Sequence, residues 1–416
     1  MKMSINGDME EMKIMRLQIS NRCRNIAPSP TLMIDAKAKA MIKSGIDVIG
    51  FGAGEPDFDT PQYIRDAAKR ALDQGMTRYT PSSGTLELRR AICAKLQRDN
   101  GLEYEPDQVI VSNGAKHSLF NICQAILDPG DEVLIPAPFW VSYPELVQLA
   151  GGVPVTVPGH EENDFLVSAA DMARYLTPRT KAIIINSPNN PNGCVWPREM
   201  LEEIARFAVD NQLYVISDEI YEKLVYDGEE HVSIASLGED IKEQTFVVNG
   251  FSKSYAMTGW RLGYCAGPAH VMKAMSALQS HATSNPNSIA QYAGLVALRG
   301  GEDIIASMAH EFDVRRRYIV GRINDIPGVS CRMPKGAFYV MMNVSKLIGA
   351  AFGDKVIRSS TDFAELLLEN ARVAVVPGNG FGSDAHVRLS YATSLENIDR
   401  GLSRIEQFVA ELKLPG

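Results

Sequence analysis

The sequence predicts an α/β fold, with a mostly parallel sheet in a large domain and a smaller α/β domain beside it. Short runs rich in β-branched residues alternate with amphipathic stretches over residues 109–266, which is the pattern of β-α units. The chain has 416 residues, whereas single hydrophobic cores stop growing at roughly 250 to 300 residues. Hydrophobic residues make up 45% of the chain and charged residues 22%, as in ordinary globular proteins. We therefore expect two folded domains.

Two helices are expected at the start of the large domain. Thr60 can cap the first helix, Pro61 suits its first turn and Gly75 can end it. Residues 86–101 have the second helical pattern. The inner face of the first helix is predicted to comprise Ile64, Ala67, Ala68, Ala71 and Leu72.

Six apolar runs are the predicted strands of the large domain: 109–111, 132–135, 182–185, 213–216, 245–248 and 262–266. Helical patterns separate many of these runs, including one at 197–210. The alternation favours a sheet whose strands are mostly parallel.

The last third of the chain predicts a separate unit. Long helical patterns cover 285–325, and a final helix is expected at 395–412. A second set of strands is predicted at 336–344, 373–376 and 386–390. We place the large domain at 60–299, the small domain at 26–59 and 300–416, and a flexible N-terminal tail at 1–25.

Composition excludes several classes of protein. The net charge of -8 disfavours nucleic-acid binding, because a phosphate backbone would be repelled. The six cysteines form no CxxC pair and the seven histidines no HExxH motif, so we expect reduced thiols and no metal site. The N-terminus lacks the apolar run of a signal peptide, and no stretch reaches the ~18 apolar residues of a membrane span. The expected location is the cytoplasm.

Chemistry-bearing residues follow the predicted strands, where ligands of an open parallel sheet bind. Residues 112–116, Ser-Asn-Gly-Ala-Lys, open a helix whose free N–H groups suit a phosphate, although glycine turns before helices are common. Trp140 can stack on a planar ring or simply pack in the core. Residues 186–193 contain four asparagines, which offer amide donors.

Charged residues follow two further strands. Asp218, Glu219 and Tyr221 come after 213–216, and a buried carboxylate is costly unless a cation faces it. Lys253 and Arg261 come after 245–248. This set suits a phosphorylated aromatic aldehyde: a lysine with a lowered pKa bonds to the aldehyde, a carboxylate keeps the ring nitrogen protonated, and an arginine matches the phosphate.

Residues 250–263, Gly-Phe-Ser-Lys-Ser-Tyr-Ala-Met-Thr-Gly-Trp-Arg-Leu-Gly, resemble the pyridoxal 5'-phosphate (PLP) attachment motif of class I aminotransferases of the aspartate aminotransferase group. The resemblance runs from Gly-Glu-Pro-Asp-Phe-Asp-Thr-Pro at 54–61 to Val-Arg-Leu-Ser at 387–390. It implies the fold type I architecture of PLP-dependent transferases and a homodimer with active sites at the subunit interface. It also implies cytoplasmic amino-group transfer between amino acids and 2-oxo acids.

The resemblance implies a role for each matching residue. Lys253 is the expected Schiff-base lysine and general acid/base, Asp218 the partner of the pyridine nitrogen, and Tyr221 a donor to the phenolic oxygen of the ring, as is Asn190. The implied cofactor-binding set is Gly114, Ala115, Lys116, Trp140, Asn190, Asp218, Tyr221, Ser252, Lys253, Arg261 and, toward the neighbouring subunit, Tyr79. The implied substrate-binding set is Gly54, Lys116, Trp140, Asn190, Arg388 and Thr31, with Arg388 on the α-carboxylate.

One position departs from the family pattern. Many relatives carry a serine three residues before the lysine, and this chain has Gly250 there. One hydroxyl for the phosphate is therefore missing, and Ser252 is the candidate replacement.

Lys116 carries the expected substrate preference. A cation at a helix start is disfavoured by about 0.3 to 1 kcal/mol, so Lys116 either reaches solvent or the cofactor phosphate, or meets a second substrate carboxylate. Residues 114–119 resemble a subgroup, Ib-like, that binds the distal carboxylate of aspartate with a lysine at this place, near Ser29 and Thr31. This implies ping-pong transfer between aspartate and 2-oxoglutarate or oxaloacetate, with prephenate or an aromatic amino acid as the alternative.

Two other functions remain open at this point. The same fold and lysine serve PLP-dependent β-lyases, which act on sulfur amino acids. A PLP-binding effector domain of a transcription regulator is the non-enzymatic alternative, but the sequence before Ile34 is too short for its usual DNA-binding region.

Overall fold

The structure is a computed structural model that describes residues 19–24, 26 and 30–414. Its α-helices are, in chain order, α1 (Asn21–Arg24), α2 (Pro30–Lys43), α3 (Gln62–Asp73), α4 (Leu86–Asn100), α5 (Ala115–Ile126), α6 (Ser142–Leu149), α7 (Ala169–Ala173), α8 (Arg198–Asp210), α9 (Glu239–Lys242), α10 (Ala269–Ala282), α11 (Ser288–Leu298), α12 (Glu302–Asn324), α13 (Ser360–Ala371) and α14 (Leu395–Ala410). Its strands are β1 (Ile49–Gly50), β2 (Val109–Ser112), β3 (Glu132–Ala137), β4 (Val153–Pro158), β5 (Thr180–Asn186), β6 (Tyr214–Asp218), β7 (Thr245–Gly250), β8 (Gly263–Ala266), β9 (Ser330–Cys331), β10 (Tyr339–Asn343), β11 (Ala351–Phe352), β12 (Lys355–Val356), β13 (Val373–Ala374), β14 (Val376–Pro377) and β15 (His386–Ser390).

Seven strands form the large sheet in the order β2-β8-β7-β6-β5-β3-β4. The strands from β3 to β7 pair in parallel, and only β8 runs against its neighbours. The predicted fold class, a mostly parallel α/β sheet, is therefore confirmed. The register sets Asn186 of β5 beside Asp218 of β6, and Asp218 beside Val248 of β7. The carboxyl ends of these strands consequently meet at one edge of the sheet.

Alternate residues of the central strands face opposite layers of helices, because successive side chains of a strand point to opposite faces. Ile183 and Val215 pack with Leu201 of α8 in one core cluster. Ile184 and Ile216 belong to the cluster on the other face. Both faces of the sheet are thus covered, which explains why these strands read as continuous apolar runs.

The C-terminal third builds an antiparallel sheet in the order β14-β15-β10-β9. The N-terminal segment joins it through β1, since Ile49 pairs in parallel with Val373 of β13. Ile34 and Ala38 of α2 pack against Leu368 of α13. The strands of the large sheet all lie within 60–299, and the strands of the smaller sheets all lie within 26–59 and 300–416. The exact domain boundaries stay a prediction. Of the predicted tail, only 19–24 lies within the described residues.

Two local predictions were wrong, and one strand was not predicted. Thr60 does not cap α3, because its hydroxyl donates to the Ala256 carbonyl at 2.6 Å and the helix follows Pro61 without a side-chain cap. Leu72 is 54% exposed rather than part of the inner face. The edge strand β4 was missed, because its sequence Val-Pro-Val-Thr-Val-Pro has two prolines and little burial.

The structure also describes the state of the cysteines and the apolar character of the helices. All six cysteines are free, as expected of reduced thiols; Cys123 is buried, and Cys93 packs against a core cluster. Within the described residues, no helix combines the length and the apolar character that crossing a bilayer requires.

Candidate active site

A cavity of about 570 Å³ opens at the edge where β5, β6 and β7 end. Eleven of the residues predicted for the site line it: Gly54, Ala115, Lys116, Trp140, Asn190, Asp218, Tyr221, Ser252, Lys253, Arg261 and Arg388. They come from the large sheet, from the segment after β1 and from β15 of the small sheet. The fold therefore brings together residues that are far apart in the sequence.

Lys253 lies just beyond the end of β7, at the centre of this group. Its ammonium donates to the Gly54 carbonyl and lies 5.8 Å from the centre of the Tyr221 ring. Its pKa is lowered from 10.5 to about 8, mainly by burial and in part by the positive charges of Arg388 and Arg261, against the opposing effects of Glu55 and Asp218. A lysine amine with a pKa near neutrality is partly uncharged, which is the state that attacks an aldehyde.

Asp218 closes β6 and is almost completely buried, at 4% exposure. Its Oδ2 accepts from the Tyr143 hydroxyl at 2.8 Å, and its Oδ1 accepts from the Ile220 N–H at 3.3 Å. Burial raises its pKa and these two hydrogen bonds oppose the rise, with a net value of about 6. Burying a charged carboxylate is costly unless a cation lies beside it, and a protonated ring nitrogen would be such a cation.

Arg261 and the start of α5 form a cradle for an anion. Gly114 adopts a left-handed φ of +85°, and a Cβ there would lie 2.6 Å from a guanidinium nitrogen of Arg261. A Cβ on Gly263 would lie 2.3 Å from the Ala115 nitrogen, so both glycines permit this close approach. The first N–H groups of a helix and an arginine together bind phosphate well.

Gly250 has a steric reason to be a glycine. A Cβ at this position would lie 3.0 Å from the Gly263 Cα and 3.1 Å from the Leu262 carbonyl oxygen. A side chain at this position would therefore require the backbone of residues 262–263 to shift by a few tenths of an ångström. Ser252 is buried and lines the cavity, in keeping with its proposed role as the replacement hydroxyl.

Arg388, in β15 of the small sheet, is a buried cation with 2% exposure. It donates to the Asn190 side-chain oxygen at 2.9 Å and to the Gly52 carbonyl at 2.8 Å, and it lies 4.5 Å from the centre of the Tyr339 ring. Its Nε is buried without a hydrogen-bond partner. A guanidinium fixed in this way is suited to bind a carboxylate.

Two tyrosines of the site were not predicted. Tyr339 of β10 shares a hydrogen bond of 2.9 Å with the Tyr221 hydroxyl. Tyr143 of α6 donates to Asp218 and meets the Trp140 ring edge to face, at 5.4 Å between centres. Spacing gives a signal for Tyr143, because it follows Trp140 by three residues at a helix start. No local pattern links Tyr339 to Tyr221.

Lys116 lies at the mouth of the cavity, with its Nζ 4.6 Å from the centre of the Trp140 ring. Partial desolvation lowers its pKa, and the positive charge of Arg261 lowers it further. The ammonium therefore lies close to Trp140 and within electrostatic reach of Arg261.

Two predicted residues, Gly114 and Tyr79, do not line the cavity wall. Gly114 lies beneath Arg261. Tyr79 is 90% exposed and does not line the cavity of its own chain. Ser29 and the side chain of Thr31 lie outside the part of the chain that the structure describes.

The residues present fit PLP. Arg261 and the α5 N-terminus suit its phosphate, Asp218 its ring nitrogen, Trp140 its ring face and Lys253 its aldehyde. These are four different demands, and one cavity meets all of them.

Comparisons with known proteins agree with this geometry. The family model described as aminotransferase class I and II matches residues 46–405. An aspartate aminotransferase of Bacillus sp. (strain YM-2) is 50% identical over 395 residues, covering 95% of this chain and 100% of the relative. An aspartate/prephenate aminotransferase of Nitrosomonas europaea is 42% identical over 397 residues, covering 95% and 100%.

Solved structures show the same relationship. The aspartate aminotransferase from Rhizobium meliloti has a TM-score of 0.92 at 43% identity, covering 95% of this chain and 100% of that chain. The aspartate aminotransferase from Thermus thermophilus, solved with maleate, has a TM-score of 0.89 at 45% identity, covering 94% and 99%. The chain therefore belongs to the class I and II aminotransferases, and it is a PLP-dependent transferase of the aspartate aminotransferase group.

Proposed function

We propose that the protein transfers the amino group of aspartate to a 2-oxo acid such as 2-oxoglutarate, by a ping-pong mechanism. The observation that carries this proposal is that two of the cations lining the cavity around Lys253 are Arg388 and Lys116. One cation can bind the α-carboxylate that all amino acids share, and the other a second carboxylate. Relatives named aspartate aminotransferases, and the Thermus thermophilus structure with the dicarboxylate maleate, support the proposal.

Each residue has a chemical task in this proposal. PLP, when bound, supplies an aldehyde for amine exchange and a ring that withdraws electrons from the substrate α-carbon. Lys253 holds the cofactor and, once released, moves a proton at that carbon with its Nζ. Asp218 keeps the ring nitrogen protonated, while Tyr221 and Asn190 donate to the phenolic oxygen. Arg388 orients the substrate through its α-carboxylate.

Prephenate is a second candidate acceptor, with an aromatic amino acid as a second donor. Prephenate carries two carboxylates, so Lys116 and Arg388 suit it for the same reason, and the Nitrosomonas europaea relative is named for both activities. The test is a screen of amino donors with 2-oxoglutarate and oxaloacetate, followed by prephenate as acceptor with aspartate as donor. Fast turnover of aspartate supports the proposal. Release of pyruvate and ammonia from a cysteine conjugate, without transfer, would instead indicate a β-lyase.

We further propose that the protein is a homodimer in the cytoplasm. Tyr79 exposes 90% of its surface, which suits a residue that contacts the cofactor phosphate of a second subunit. The six free cysteines suit a reducing compartment. Sedimentation of the wild type at the mass of one chain would contradict the dimer.

A further inference from the structure

Tyr143 occupies a position that the proposed chemistry does not yet use. It is 2% exposed, and its hydroxyl donates to Asp218 Oδ2 at 2.8 Å across 75 positions of sequence. Its ring contacts Trp140 edge to face. Tyr143 therefore contacts both Asp218, the proposed partner of the ring nitrogen, and Trp140, the proposed stacking residue.

The hydrogen bond has a clear physical consequence for Asp218. Burial disfavours the charged carboxylate, and the bonds from Tyr143 and from the Ile220 N–H both favour it. Lys253 also lowers the pKa of Asp218, whereas the adjacent Glu219 raises it. The pKa of Tyr221, which faces the same cavity, is raised mainly by burial and by Tyr339, and in smaller part by the negative charge of Asp218. Tyr143 is therefore one of the few groups that keep this carboxylate ionised.

We propose that Tyr143 is a positioning residue, which holds Asp218 as an oriented anion toward the cofactor ring and keeps Trp140 at the angle for stacking. The inference rests on the proposed role of Asp218. Tyr143 acts through Asp218 and Trp140 rather than on the substrate. If Tyr143 had only a structural role, its ring would fill space in the core around α6 and its hydroxyl would not affect Asp218.

Tyr143→Phe tests this directly, because it removes one oxygen and keeps the ring against Trp140. The matched control is Tyr391→Phe, which removes the hydroxyl of another fully buried tyrosine, bonded to the Ala337 carbonyl at 3.2 Å. PLP affinity of the full-length apoprotein is measured by equilibrium dialysis at one pH and then across a series of pH values, which gives the pH midpoint at which affinity is lost. Both variants are also made in an Asp218→Asn background.

We expect Tyr143→Phe to weaken PLP binding by about ten- to hundredfold, the usual effect of losing a hydrogen bond to a charged group. The pH midpoint at which affinity is lost on acidification should move upward, because Asp218 then protonates more easily. Tyr391→Phe should match the wild type in both measurements. In the Asp218→Asn background, Tyr143→Phe should change affinity by less than about twofold, since the two residues act as one unit.

The outcomes separate the inference from the function on which it rests. If Asp218→Asn weakens PLP binding but Tyr143→Phe behaves as the wild type, the positioning role is wrong and the role of Asp218 stands. If Tyr143→Phe loses as much affinity in the Asp218→Asn background as alone, its effect passes through packing, and the inference also fails. If neither Asp218→Asn nor Tyr143→Phe changes the PLP affinity or the pH midpoint, Asp218 itself is not the partner of the ring nitrogen.

Discussion

The Lys116 ammonium lies 4.6 Å from the centre of the Trp140 ring, at the mouth of the cavity that contains Lys253. Lys116 is the second residue of α5, where the helix dipole opposes a cation. The aromatic face offsets part of this cost, because its electrons attract a positive charge. The arrangement leaves a cation beside the substrate space, ready to bind an anionic group.

Lys116→Ala is expected to lower kcat/KM for aspartate by roughly ten- to hundredfold, the usual loss of one charge-assisted contact. The loss should be much smaller with alanine or phenylalanine as donor, since neither has a second carboxylate. Lys116→Met is the matched control, because it keeps an apolar stem over Trp140 and removes only the charge. Steady-state kinetics with each donor give the comparison. Equal losses for all donors would assign Lys116 to the cofactor.

Arg388→Lys should behave in the opposite manner, with kcat/KM falling by roughly ten- to hundredfold for every donor alike. The α-carboxylate is common to all donors, and a lysine cannot reproduce the fork that also donates to Asn190 and Gly52. The same kinetic series measures it, with a thermal melt to verify folding. A loss of kcat/KM confined to aspartate would mean that Arg388 binds the distal carboxylate instead.

The rate of covalent PLP attachment should depend on pH through Lys253. Its pKa is lowered to about 8, so the reactive neutral amine is about one tenth of the total at pH 7, against roughly 3 in 10,000 for an ordinary lysine. Attachment to apoprotein should therefore rise about tenfold per pH unit below pH 8 and level off above it. Stopped-flow absorbance measures the rate, with a free lysine derivative as reference. A rate that keeps rising to pH 10 would contradict the lowered pKa.

Asp218→Ala should lower kcat by about 10² to 10³, the usual cost of removing one buried electrostatic group from an active site. The ring nitrogen then lacks the charge that keeps it protonated, and the Tyr143 hydroxyl lacks its acceptor. Turnover with aspartate is the measurement, and circular dichroism checks the fold. Near-normal turnover would remove Asp218 from the proposed mechanism.

Much of the fold could be predicted because local patterns and tertiary packing agree. All six predicted strands of the large sheet are present, and β15 matches its predicted bounds of 386–390. These strands are buried on both faces, so their apolar runs are long and clear. The edge strand β4 is little buried and contains two prolines, which is why its sequence did not predict a strand.

Contacts between distant segments set the limit of sequence-based prediction. Thr60 has the residue type of a helix cap, but its hydroxyl donates a hydrogen bond to a carbonyl 196 positions away instead. The partners Tyr221 and Tyr339 are 118 positions apart, and Tyr143 and Asp218 are 75 apart. Motif spacing located the residues of the attachment segment, whereas only the assembled fold shows which tyrosines support them.

The central claim, that Lys253 holds the cofactor of an aminotransferase, has one direct test. Purified holoenzyme is treated with borohydride, which fixes PLP permanently to the amine that holds it, and the digested protein is analysed by mass spectrometry. We expect a yellow protein that loses its colour on reduction, with the label on the peptide containing Lys253. Lys253→Ala should remain folded and take no label. A label on any other lysine of the wild type, Lys116 included, would contradict the assignment.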